Sequence, residues 1–156
     1  MDTINRILAI SRISEDCRDV VNNGISLAKK LGAELEVLHL ISNPVDQEAL
    51  NAPLPYPDAA HKTYASIREE TKEELEKILR RELHSGFPIK LIVRDGNPID
   101  EVTSVVKEEN IDLIVMLAHQ ETRLEHALFG SENEAILRSM PCSILLVKKE
   151  PHPVKW

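Results

Sequence analysis

The chain of 156 residues carries 19 Lys+Arg against 26 Asp+Glu, a formal net charge of −7, so it lacks the positive field that broad nucleic-acid or anionic-membrane binding needs. With 42% apolar, 29% charged and only 3% aromatic residues, it has the composition of one globular domain whose core is built from Leu, Ile, Val and Ala. There is no secretory leader or spanning apolar run, and Cys17 and Cys142 lack CxxC or paired-framework spacing, which predicts a cytoplasmic protein with two reduced thiols.

In chain order, RILAI (Arg6 to Ile10) is a short continuous apolar run, the pattern of a strand covered on both faces. Ser14, Glu15 and Asp16 suit a helix start, and Val20, Val21, Ile25, Leu27, Ala28 and Leu31 mark its apolar face before Gly32 ends it. Cys17 near that start gives slight support for a lowered thiol pKa. ELEVLHLI (Glu34 to Ile41) is the second strand. The prolines at Pro44, Pro53, Pro55 and Pro57 exclude a regular helix or central strand there, so a surface loop is expected over 44–59.

Tyr64, Ile67, Leu75, Ile78, Leu79 and Leu83 follow a helical period through a charged segment that Gly86 and Pro88 end. IKLIVRDG is the third strand with its exit turn, and Pro98 suits the first turn of a helix presenting Ile99, Val102, Val105 and Val106. DLIVML is the fourth strand. A long segment then closes on Gly130-Ser131 at the start of a further helix, which Met140-Pro141 breaks before SILLV (Ser143 to Val147). Strict alternation means α/β architecture: five parallel strands near 4–10, 34–41, 89–94, 112–117 and 143–147, with helices on both faces. One domain spans 1–149, and 150–156 is a frayed tail.

Ligands of such sheets bind beyond the carboxyl ends of the strands, where strand order reverses. The segments to weigh are SRIS, ISNP, RDGNP and the long stretch after the fourth strand. Gly96-Asn97-Pro98 reads first as a turn and helix start. Gly130-Ser131 reads equally as a cap or an anion seat, since helix N-termini bind anions. His119 and His126 have no third ligand at metal spacing, so no metal site is expected. No GxSxG, Walker A or GxGxxG motif occurs, and nothing assembles an acid, a base and a nucleophile; an enzyme is not expected.

The order of elements, together with ISLAKKLGAELEVLHLI, RDGNPIDEV and DLIVMLAHQETRLEHALFGSENEAILRSMPCSILLVK, resembles the universal stress protein family (UspA-like). The resemblance implies a Rossmann-like fold of the adenine nucleotide alpha hydrolase type with strand order 3-2-1-4-5, and a homodimer joined through the last strand, 143–147. Its nucleotide-binding branch places glycines at three spaced positions after the fourth strand, the last followed by Ser or Thr. On this sequence the first two positions are Leu117 and Gln120, and only Gly130-Ser131 matches. Where that branch uses an Asp on the adenine, Arg12 stands. The resemblance thus implies a candidate nucleotide or anion pocket of Ile10, Ser11, Arg12, Leu40, Gly96, Met116, Leu117, Gln120, Gly130, Ser131 and Glu132. The expectation is a non-enzymatic stress-response module with a degenerate pocket, requiring no cofactor and working through unidentified protein partners. The alternative is an ATP- or AMP-binding protein using a modified pocket closed by Gly130-Ser131, with slow ATP hydrolysis or phosphate transfer.

Overall fold

The computed structural model describes residues 3–11, 17–41, 57–118 and 138–148. Five strands form one sheet: β1 (Arg6–Ser11), β2 (Glu34–Ile41), β3 (Ile89–Asp95), β4 (Leu113–Ala118) and β5 (Ser143–Lys148). All four pairings are parallel and the order is β3-β2-β1-β4-β5, the expected arrangement. Bounds differ from the sequence reading by a residue or two. The helices are α1 (Cys17–Leu31), α2 (Pro57–Ile78), α3 (Arg80–Leu83) and α4 (Pro98–Glu108).

Alternation along the strands divides the core in two. Ile7 and Ala9 face a cluster with Val20, Val21, Ala28, Leu35, Val37, Leu75 and Leu79, beneath α1 and α2. Leu8 and Ile10 face a second cluster with Leu38, Val102, Val105 and Ile114, beneath α4. Ile7 and Leu8 are both fully buried, which is why β1 reads as an unbroken apolar run. Gly24 lets α1 lie close to the sheet: a Cβ there would come within 2.9 Å of Leu35 Cδ1. α1 ends at Gly32, whose φ of +68° is easiest for glycine.

One expectation is corrected. The proline cluster was expected to keep residues 44–59 irregular, yet α2 starts at Pro57 and makes Asp58 and Ala59 helical. Proline is compatible with the first helical turn, where its missing N–H has no intrahelical partner to lose. Residues 42–56 lie outside the described residues. The helix expected to run on to Gly86 is interrupted at Leu79, with α3 following as a separate turn. The helix expected from Gly130-Ser131 is described only at Arg138 and Ser139, directly before Met140-Pro141.

The amino ends of the strands carry a network of charges. Arg6 Nε donates to Glu34 Oε2 at 3.1 Å and Arg6 Nη1 to the Glu109 carbonyl at 2.7 Å. Lys90 Nζ meets Glu109 Oε2 at 2.6 Å. Glu36 sits among them at 5% exposure, and its Oε2 has no hydrogen-bond partner among the described residues. Burial raises its pKa, and the Glu109 carboxylate adds to this; the Lys90 hydrogen bond lowers that of Glu109. Of the two acids, Glu36 is thus the one pushed toward its neutral form and Glu109 the one pushed toward its charged form.

A raised folded-state pKa means that Glu36 stabilises fully below its unfolded value and loses that contribution as pH rises through the folded value. Glu36→Gln, neutral at every pH, should therefore be more stable than the parent to urea at neutral pH. The gap should close near pH ~4, where the unfolded acid is itself about half protonated. An equal effect at both pH values would show that folding leaves the Glu36 pKa unshifted.

Candidate functional site

The sheet order reverses between β1 and β4, and the two strands part company there. Their register runs from Ile7↔Leu113 to Ala9↔Val115. By contrast β1 pairs with β2 as far as Ser11↔His39, and β4 with β5 as far as Ala118↔Lys148. Ile10 and Ser11 thus end one wall of a crevice, and Met116 and Leu117 end the other. A crevice of this kind is where open α/β sheets hold ligands.

Alternation splits the described candidates between the two faces. Ile10, Leu40 and Met116 pack with the α4 cluster. Leu117 packs against the α1 cluster, half-buried beside the core that holds Cys17 and Val20. Ser11 is fully buried on that same side, its Oγ 2.7 Å from Cys17 Sγ. Gly96 stands apart, at the exit of β3, two strands or about 10 Å from β1 across the sheet. Its φ of +135° and the 3.1 Å from a hypothetical Cβ to Glu101 Oε1 explain why glycine occupies the turn. Asn97 next to it accepts from the Ile99 and Asp100 amides at 3.0 and 3.3 Å, and Pro98 opens α4. Among the described contacts, Gly96 serves the turn. Arg12, Gln120, Gly130, Ser131 and Glu132 lie outside the described residues, as do His119 and His126.

Two side chains near the crevice acquire their setting only through folding. Cys17 is buried at the start of α1. Burial pushes its thiol pKa up, and nearby Glu82 adds to this; the Ser11 hydroxyl and Arg18 oppose the rise. This shift runs against the slight support that the helix start gives for a lowered thiol pKa. Desolvation outweighs the helix terminus here.

His39, at 2% exposure, lies beside Ser11 in the β1–β2 register. Burial lowers its pKa, and a hydrogen bond to the Ser11 backbone together with the Glu74 charge partly offsets this. Its Nδ1 has no partner among the described residues. Burial thus biases the imidazole toward its neutral form, near β2's carboxyl end. The spacing Leu35, Val37, His39 could have flagged it, because period two places all three on one face.

The comparisons with known proteins agree on one family. The model of the universal stress protein family matches residues 3–148. A universal stress protein of Methanothermobacter thermautotrophicus is 24% identical over 143 residues, covering 92% of this chain and 95% of the relative. Universal stress protein MJ0577 of Methanocaldococcus jannaschii is 31% identical over 84 residues, 54% of this chain and about half, 52%, of the relative. Among solved structures, hypothetical protein MJ0577 superposes with a TM-score of 0.70 at 22% identity, covering 97% of this chain and 100% of that one. A universal stress protein in complex with cAMP gives a TM-score of 0.59 at 15% identity, over 94% of this chain and 98% of the other.

Proposed function

The chain belongs to the universal stress protein family, and from that premise we propose that it is a non-enzymatic, cytoplasmic regulatory module whose crevice is closed to nucleoside triphosphates. The observation that carries this reading is Leu117. The nucleotide-binding branch has glycine at that position; here a leucine side chain packs half-buried against the α1 core at the mouth of the crevice. Backbone that a phosphate or ribose should approach closely is thereby covered. Residues 1–149 act as one domain that pairs with a second copy and regulates through protein contacts. No described helix is long and apolar enough to cross a membrane.

A second reading has its own support. The parting of β1 and β4 leaves a crevice, and a structural neighbour was solved with cAMP. On this reading Arg12 turns onto the phosphates of ATP or AMP, and the hydroxyl and amide of Ser131 complete the seat.

Isothermal titration with ATP and Mg²⁺ separates the two. The closed crevice predicts almost no heat at millimolar ATP. Leu117→Gly with Gln120→Gly restores the glycine spacing but should raise affinity only modestly, because the adenine contact is still missing until Arg12→Asp is added. Each new glycine also costs the folded segment up to about 1 kcal/mol of order. Tight ATP binding by the unmodified protein, or nucleotide carried through purification, would replace the first reading with the second.

A further inference from the structure

The end of the sheet opposite the crevice holds a cavity of about 420 Å³, set among the amino ends of β1, β4 and β5. Ile4 and Met140 line it beside Thr3 and Ser143, Asp112 supplies a carboxylate, and Pro141 and Cys142 lead from it straight into β5. The Asp112 Oδ2 accepts the Asn5 and Arg6 amides at 2.8 and 3.0 Å, so its charge is fixed in place. Eight residues, KEPHPVKW, follow Lys148, and their Trp156 is the single tryptophan of the sequence. They lie outside the described residues.

We infer that this cavity receives residues 149–156 of a second copy of the chain. The inference rests on the β5-to-β5 dimer proposed above. In a two-fold antiparallel pair centred between the exposed Leu145 and Leu146, Ser143 faces Lys148 of the partner subunit. Continuing the register sets the partner's Lys149 opposite Cys142, and the partner's Glu150 opposite Pro141. Pro141 has no N–H, so the ladder stops there and the rest of the segment is delivered to the cavity mouth. Pro151 and Pro153 favour an extended backbone, which lowers the entropy lost on docking. Val154 and Trp156 then supply apolar surface for Ile4 and Met140, and Lys155 brings positive charge toward Asp112.

The chain's own segment is badly placed for the same seat. It leaves β5 at the far end of a six-residue strand, about 20 Å from the cavity.

The test uses the full chain. Lys149→Cys, oxidised with copper phenanthroline, should give a dimer on a non-reducing gel, because facing Cα atoms of antiparallel strands lie within disulfide range. Adding Cys142→Ser should abolish the band. Trp156 emission should be blue-shifted and shielded from iodide in the dimer, and Trp156→Ala should raise the dimer dissociation constant roughly tenfold. A dimer by light scattering with no cross-link and a water-exposed tryptophan would overturn the docking while leaving the dimer intact. A monomer by light scattering would overturn both. A cross-link confined to the monomer band would place the segment on its own subunit and also refute the proposal.

Discussion

Leu8→Ala and Ile7→Ala should each destabilise the protein by about 2–5 kcal/mol, measured as a shift of the urea midpoint at unchanged slope. These two neighbours on β1 point to opposite faces of the sheet, and both are fully buried. Leu8 lies under α4 among Val102, Val105 and Ile114, and Ile7 lies under α1 among Val20, Val21 and Leu35. Each truncation leaves a cavity whose walls are already held by helix and strand, so collapse recovers little of the loss. In a sheet with one solvated face, one of the two substitutions would cost almost nothing. A loss below about 1 kcal/mol at either position, compared with that range for buried aliphatic truncation, would contradict two-sided burial of the central strand.

Leu146→Asp should convert the proposed β5 dimer to monomer, weakening association by at least roughly a hundredfold, or about 3 kcal/mol. The two edges of the sheet differ. At β3, Arg68 Nη2 donates to the Val93 carbonyl at 2.8 Å, and Lys90 and Arg94 pair with Glu109 and Glu108 at 2.6 and 2.7 Å. Charge and an occupied carbonyl guard that edge against strand addition. β5 instead presents Leu145 and Leu146 at 41% and 43% exposure. Two-fold symmetry places every substitution at the interface twice, so one aspartate per chain brings two carboxylates close together in an apolar contact. Circular dichroism should show an unchanged fold, and light scattering should show the monomer. A parent protein that is itself monomeric at micromolar concentration would refute the β5 interface.

The elements and their arrangement were readable from the sequence wherever one local rule dominated. Continuous apolar runs on β1 and β4 can be buried only between two layers of helices, and alternation with helical periods forces parallel pairing. The strand order came from family resemblance, since periodicity says that strands pair but not which edge each one takes. α2 began earlier than expected because a proline within a cluster reads as a breaker until it is seen in a first helical turn, where it breaks nothing.

At the crevice, the identities of Leu117 and Gly96 were plain, but their roles were not. Sequence position cannot say that Gly96 serves the β3 turn, nor that Leu117 packs on the α1 core. The same holds for the ionisable groups. Cys17 near a helix start suggests a lowered pKa, and nothing in the local pattern marks Glu36 or His39 as perturbed. Each is shifted the way burial drives it, because desolvation depends on which segments distant in the chain close over the group. Local pattern therefore determined the layers of this protein, and tertiary closure alone decided which of its ionisable groups are buried and shifted.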